Sequence, residues 1–446
     1  MSISVVGLGK LGAPMIAVFA ERGFDVIGYD TNIENVDLVN QSIAPVKEPF
    51  LQKMMLENKG RISATTDIFE AVNKSDISFI IVPSPSKSDS FFSNSYILDA
   101  IKKIGAALKG KESYHLVVIT STVMPGSMDT VIKKSLEEHS EKKIGLEIGL
   151  CYNPEFIALG TVIKDMLNPD ILLIGESDLE AGNLLEKIYE KVAKTKPKIH
   201  RMNFINAEIA KISVNSFVTT KISYANMLAE ICETLPGGDV DVVTNAIGDD
   251  TRIGRKYLRG GTAFGGPCFP RDNKAMAALG KTISVNTSLT EVTDNTNDHQ
   301  AKRLKNIITS RLNPPKTVLL LGVSYKPNTP VYEESQAIKL AHLLDKSGIK
   351  VFLSDPEVSM TNNSKFCFER NYSTLIRKVE MVVVMTPWEE YIDIGKDLRE
   401  TDCMTQAIVD PWRLLNITAI PTQVEYIAPG RLNGNTEWPI KLSSKL

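Results

Sequence analysis

The sequence predicts an α/β protein in which two doubly wound domains are joined by a central helical domain with one long spine helix. Three observations predict it. Short β-branched runs alternate with helical stretches from the first residue, a stretch without Pro or Gly then spans residues 206–234, and the alternation resumes after residue 316. The 446 residues suit about three units at roughly 150 residues each.

Residues 4–6 read as a first strand, followed by a glycine loop and a helical pattern at residues 15–22. Asp25-Val26-Ile27-Gly28-Tyr29-Asp30 reads as a second strand, and further buried strands are expected at 77–82, 116–119, 148–152 and 171–174. Apolar strands spaced by helices predict a mostly parallel sheet covered on both faces. The 206–234 helix closes at Pro236-Gly237-Gly238, and helix-compatible sequence continues to about residue 312, interrupted by a glycine-rich stretch at 260–266. Asn313-Pro314-Pro315-Lys316 reads as a boundary, with strands beyond it at 317–321, 350–353, 381–385 and 407–409. The expected domains are 1–203, 204–312 and 313–446.

Composition narrows the function. With 43% hydrophobic and 23% charged residues, the chain is not disordered, collagen-like or a multispanning membrane protein. The 51 basic and 53 acidic residues give a net charge of -2, so neither nucleic acid nor an anionic membrane is an expected partner. An anionic substrate would need local basic residues. The cysteines (Cys151, Cys232, Cys268, Cys367 and Cys403) are scattered without a CxxC pair, which predicts neither a disulfide framework nor a metal site. The N-terminus lacks a basic n-region and enters a glycine loop directly, so a soluble, cytoplasmic protein is the expectation.

Gly7-Leu8-Gly9-Lys10-Leu11-Gly12 fits G-x-G-x-x-G between a strand and a helix. Gly7 permits the tight turn, Gly9 lets a pyrophosphate approach the backbone, and Gly12 allows close helix–strand packing. Asp30 ends the next strand, where its carboxylate would accept ribose hydroxyls and repel a 2′-phosphate. No Arg follows in Thr31-Asn32-Ile33. A Rossmann-like domain binding NAD rather than NADP is predicted.

A second cluster, Ala263-Phe264-Gly265-Gly266-Pro267-Cys268-Phe269-Pro270-Arg271-Asp272, sets a cysteine between flexible glycines and a helical pattern at 273–279. A thiol near a helix N-terminus with Arg271 beside it should carry more thiolate. A buried apolar Cys and a capping Asp272 are the plain alternatives. The combination with a dinucleotide loop, a glycine loop and an Asp four residues on favours chemistry.

This segment closely resembles the cysteine motif of the UDP-glucose/GDP-mannose dehydrogenase family. Other segments agree in order along nearly the whole chain: Val82-Pro83-Ser84-Pro85, Ser121-Thr122-Val123-Met124-Pro125-Gly126, Asn153-Pro154-Glu155-Phe156 and Asn168-Pro169-Asp170. Glu208 to Lys211 with Asn215, Arg252-Ile253-Gly254, Tyr325-Lys326-Pro327, Thr386-Pro387-Trp388 and Val409-Asp410 follow. The resemblance implies an NAD-dependent four-electron oxidation of a nucleotide-sugar C6 alcohol to the uronic acid, through a cysteine thiohemiacetal and thioester. UDP-glucose is the leading substrate, with a UDP-N-acetylhexosamine or GDP-mannose as alternatives.

Carried over by position, Cys268 is the nucleophile, Glu155 the acid/base, and Lys211 with Asn215 stabilises the oxyanion, while Thr122 and Asp272 position water. The cofactor would be held by Gly7, Gly9, Lys10, Leu11, Gly12, Asp30, Thr122, Glu155 and Arg271. The substrate would be held by Phe156, Lys211, Asn215, Arg252, Tyr257, Gly265 and Lys326. Lys211 and Asn215 stand four residues apart, so one helical face can aim both at one oxygen. Lys221 is an equally good surface lysine, and position in the motif selects Lys211.

Departures concern the substrate. Where the family often has K-P-D-T-D-D-x-R-E-S, this chain has Lys326-Pro327-Asn328-Thr329-Pro330-Val331-Tyr332-Glu333-Glu334-Ser335. Glu333 thus stands in place of Arg, and Leu159 where some relatives carry Glu. Competing readings are a 3-hydroxyacid dehydrogenase, whose chains are shorter and lack the cysteine segment, and a non-catalytic nucleotide-sugar binder, which needs no nucleophile. The breaker-free helix with Ile209, Ile212, Phe217, Ile222, Met227 and Ile231 exceeds one thin apolar stripe and predicts a homodimer.

Overall fold

The computed structural model describes residues 1–312, 316–360, 365–376, 378–399 and 404–432. The chain divides into two compact units, Met1–Ser213 and Val214–Leu446, with the division inside the helix Phe204–Cys232.

The first unit holds an eight-stranded sheet. Its strands are β1 (Ser2–Val6), β2 (Asp25–Tyr29), β3 (Ile62–Thr65), β4 (Ile77–Ile80), β5 (His115–Ile119), β6 (Ile148–Tyr152), β7 (Ile171–Glu176) and β8 (Lys198–Met202). They lie in the order β3-β2-β1-β4-β5-β6-β7-β8. The pairs from β3 to β6 are all parallel. β7 turns antiparallel to β6, and β8 runs parallel to β7.

The central strands are buried along their length because helices cover both faces. Side chains alternate between the two cores: Ile3, Val5, Ile77, Phe79, Leu116 and Val118 point into one, and Val6, Ile80, Val117 and Ile119 into the other. That double burial is what makes these strands legible as apolar runs. The edge strands β3 and β8, Ile-Ser-Ala-Thr and Lys-Ile-His-Arg-Met, are partly exposed and polar, so the same signal passes over them.

In the second unit, Val240–Gly248, Phe269–Thr282 and Ser288–Thr309 follow the long helix. A six-stranded, wholly parallel sheet comes next, made of β9 (Thr317–Leu321), β10 (Lys350–Ser354), β11 (Cys367–Phe368), β12 (Met381–Val384), β13 (Ala407–Val409) and β14 (Glu425–Ile427). The order is β11-β10-β9-β12-β13-β14. The short edge strands β11 and β14 again carry no apolar run. Helix Ser288–Thr309 packs against both Phe269–Thr282 and Gln336–Asp345, so the helical segment and the second sheet share one compact unit. The boundary expected at Asn313-Pro314-Pro315-Lys316 lies, apart from Lys316, outside the described residues. Among the described residues no helix is long and apolar enough to cross a membrane.

Candidate active site

Parallel strands end at one edge of their sheet, and in the first unit the predicted residues follow those ends: the glycine loop after β1, Asp30 after β2, Thr122 after β5 and Glu155 after β6. The glycine loop closes on itself. Gly7 has φ +105°, and a Cβ on Gly12 would lie 1.7 Å from the Gly7 carbonyl oxygen. A Cβ on Gly9 would meet nothing within 4 Å, so this face of the loop is open to a ligand. The Leu8 N–H donates to Asp30 Oδ2 at 2.7 Å and the Asn32 N–H to Oδ1 at 2.9 Å. A carboxylate accepts about four hydrogen bonds, so acceptor capacity is left for a ribose hydroxyl. Lys10 is exposed and Leu11 half-buried at the start of the following helix.

Lys211 is buried, donates to the Glu155 main-chain carbonyl, and lies 4.6 Å over the Phe156 ring. The Glu155 carboxyl has Tyr189 Oη 3.4 Å from Oε1. Burial pushes Glu155 up to about 7, against the pull of the Lys211 charge and the Tyr189 hydroxyl. Glu208, fully buried, accepts the Gly126 N–H at 2.6 Å and the Met128 N–H at 2.8 Å, which ties the loop carrying half-buried Thr122. Burial raises Glu208 to about 6, and those backbone donors oppose it. Glu48 accepts the N–H groups of Gly160 (3.0 Å) and Val162 (2.8 Å), holding the far end of the Glu155 loop. Leu159 in that loop packs on the hydrophobic core.

In the second unit Cys268 is exposed at the N-cap of Phe269–Thr282. One turn on, fully buried Asp272 accepts Asn215 Nδ2 at 2.6 Å and Arg271 Nε at 3.1 Å. Lys211 and Asn215, expected to aim at one oxygen, therefore donate to different acceptors here. The backbone of the loop before Cys268 is tied to residues 333–336. The Gly266 N–H donates to the Glu333 carbonyl at 3.0 Å, and Gln336 Nε2 to the Phe264 carbonyl at 2.6 Å. A Cβ on Gly265 would stand 2.5 Å from the Glu334 carbonyl oxygen, and one on Gly266 2.6 Å from the Tyr325 ring. The segment that departs from the family pattern is thus the wall of the cysteine loop.

Aromatic rings pack on one another around Phe269, the residue after this thiol. Phe269 makes edge contacts with Tyr257 and Phe264, both at 6.3 Å, and Lys326 Nζ lies 6.0 Å from the Tyr325 ring centre. Burial raises the Tyr325 phenol, with Cys268 and Tyr257 near enough to add to the shift. Arg252 is 86% exposed and pairs with Asp250 at 2.5 Å. Lys221, the alternative lysine, donates to the Ile253 and Gly254 carbonyls at 3.1 and 2.9 Å, a turn-holding role.

Three family models cover most of the chain. The NAD binding domain of the UDP-glucose/GDP-mannose dehydrogenase family matches residues 1–193, its central domain 205–299 and its UDP binding domain 319–417. The chain belongs to that family. It is an NAD-dependent nucleotide-sugar 6-dehydrogenase, and the shorter 3-hydroxyacid dehydrogenases are set aside. It is 35% identical to a GDP-mannose 6-dehydrogenase of Pseudomonas aeruginosa over 80% of this chain and 82% of that one. It is 32% identical to the UDP-glucose 6-dehydrogenase AglM of Haloferax volcanii over 92% and 96% of the two chains. The structure of a UDP-glucose dehydrogenase from Pyrobaculum islandicum superposes with a TM-score of 0.86 at 28% identity, covering 96% of this chain and 98% of that one.

The open face of Gly9 and the spare acceptor capacity of Asp30 fit an NAD pyrophosphate and ribose. Among the groups that sequence reasoning passed over, Glu48 and Tyr189 stand out. Tyr189 had a signal, a hydroxyl on the apolar face of an amphipathic helix, since a buried phenol needs a partner. The glycines should separate two effects. Gly12→Ala overpacks the loop and should cost about 1–3 kcal/mol in urea denaturation. Gly9→Ala should leave that stability within about 0.5 kcal/mol, yet weaken NAD binding in calorimetry at least about tenfold.

Proposed function

We propose that the chain oxidises the C6 alcohol of UDP-glucose to the carboxylate of UDP-glucuronate, with Cys268 as covalent nucleophile. The observation that carries this reading is an exposed thiol at the first turn of a helix whose buried Asp272 is fixed by an amide and a guanidinium. Gly7, Gly9, Lys10, Leu11, Gly12 and Asp30 hold NAD, aided by Thr122, Glu155 and Arg271. When bound, NAD supplies the hydride acceptor for both oxidations.

The chain's own residues handle carbon, proton and water. Glu155 takes the alcohol proton, which suits a carboxyl near neutrality. The Cys268 thiolate adds to C6 at the aldehyde level, forming the S–C bond, and Lys211 with Asn215 meets the developing oxyanion. At the thioester level Glu155 activates water, the S–C bond breaks, and the thiolate is restored as the uronate leaves. Thr122 and Asp272 orient that water. Phe156, Arg252, Tyr257, Gly265 and Lys326 contact the nucleotide sugar.

UDP-glucose is favoured because AglM aligns with 92% of this chain, and the C-terminal part matches a domain described as UDP binding. The 35% identity to the Pseudomonas aeruginosa enzyme makes GDP-mannose the second reading. The long helix supports a homodimer. Ile209, Phe217, Tyr224, Met227 and Ile231 are exposed, and at 100° per residue they fall within about a quarter of the helix circumference. An apolar face of that length suits a second copy of the chain. A cytoplasmic location accords with the chemistry of its substrate and cofactor.

Incubation with UDP-glucose, UDP-N-acetylglucosamine and GDP-mannose should yield two NADH per sugar with UDP-glucose; two with GDP-mannose alone would move the assignment. Cys268→Ala should fold and bind both ligands but lower uronate formation about a thousandfold or more. Because Glu155 must be ionised to act as base, kcat/KM should fall as pH drops through about 7. Glu155→Gln should remove that limb along with most activity. Sedimentation should give a dimer at micromolar protein, and Phe217→Glu combined with Met227→Glu should give monomers.

A further inference from the structure

Tyr189 lies on the buried face of Leu179–Val192, beside Leu185, Ile188 and Val192. Its hydroxyl meets two acceptors. One is Asn153 Oδ1, in hydrogen-bond contact, and the other is Glu155 Oε1 at 3.4 Å. The Asn153 amide is locked: its Nδ2 donates to the Leu173 carbonyl at 2.9 Å, and its main-chain N–H to the Ile119 carbonyl at 2.8 Å. Oδ1 therefore faces Tyr189 as an acceptor only. Asn153 and Tyr189 are both buried, so the phenol proton has these protein acceptors in place of solvent.

One proton between two acceptors lets a half-buried carboxyl exist in either charge state. With Glu155 protonated, its own O–H can donate to the phenol oxygen while the phenol proton rests on Asn153. With Glu155 ionised, the phenol proton can turn to the carboxylate. We infer that Tyr189 is a positioning residue for Glu155, its hydroxyl turning from Asn153 to the carboxylate as Glu155 gives up its proton. The titratable groups facing Glu155 are Lys211 from the long helix and Tyr189 itself. Burial holds the phenol well above its ordinary pKa, so Tyr189 moves a hydrogen bond without ionising.

The kinetic consequence rests on Glu155 being the acid/base, so the test needs a readout independent of turnover. The protonated-carboxyl band of Glu155, identified by its loss in Glu155→Gln, can be followed against pH by difference infrared spectroscopy of the full chain. Tyr189→Phe removes the donor and should raise the Glu155 midpoint by about one pH unit. Fluorotyrosine in place of Tyr189 keeps ring and hydroxyl but donates more strongly, and should lower it. The kcat/KM profile should follow both shifts. A midpoint unmoved by either change, or moved the same way by both, would overturn the inference and leave Tyr189 as a core aromatic. If Tyr189→Phe does not fold, the fluorotyrosine protein decides alone, a lowered midpoint supporting the inference and any other result overturning it. Shifted infrared midpoints with unshifted kinetics would sustain the inference and refute the acid/base role of Glu155.

Discussion

β1 is hydrogen-bonded on both sides by parallel strands and covered on both faces by helices, and that confinement sets the chemistry of the first unit. A strand so enclosed can exchange with a ligand only at its end. Because β2, β1, β4, β5 and β6 run parallel, their carboxyl ends meet at one edge, which gathers the glycine loop, Asp30, Thr122 and Glu155 from across more than a hundred residues. The glycine loop then has little freedom. Its third glycine touches the carbonyl of its first, and its second alone keeps an open side.

The cysteine loop of the second unit is fixed by side chains and main chain together: Asn226, Asn297 and Gln336 bond its backbone, and the Gly266 N–H donates to the Glu333 carbonyl. The carbonyls of Glu333 and Glu334 approach Gly266 and Gly265, and this contact is indifferent to which side chain sits at 333. That accounts for how a family position often occupied by Arg can hold Glu without loss of the fold. The Glu333 residue itself is exposed. Leu159 makes a parallel case, since its side chain is satisfied by the apolar core in place of a polar partner.

The legibility of the sequence follows the same physics. Strands buried on both faces announce themselves as apolar runs, so β1, β4, β5, β9 and β12 stand out, whereas β3, β8, β11 and β14 at or near sheet margins do not. The glycine loop is legible because each glycine answers a local steric demand. Partners remote in sequence leave no such mark. Glu48 caps backbone more than a hundred residues away, and Glu208 reaches back some eighty to the Thr122 loop. Spacing placed Lys211 and Asn215 on one helical face but could not tell that each meets a different acceptor, because periodicity fixes direction and not company.

Three carboxyls in this chain, Asp272 and Glu208 fully buried and Glu155 half-buried, differ in the donors they meet. Asp272 has a guanidinium and an amide on its two oxygens. Glu208 has two backbone N–H groups at 2.6 and 2.8 Å, and burial still lifts it to about 6. Glu155 has weaker company: Tyr189 stands 3.4 Å from its carboxyl, and the Lys211 ammonium donates to its main-chain carbonyl. Between the two glutamates, desolvation is less opposed at Glu155, which reaches about 7. A carboxyl balanced there can both take and return a proton near neutral pH, as an oxidation followed by hydrolysis requires of one group. The sparse donors at the Glu155 carboxyl, set against the two backbone donors of Glu208, fit the proposed acid/base role of Glu155, whereas Glu208 holds the backbone of the Thr122 loop.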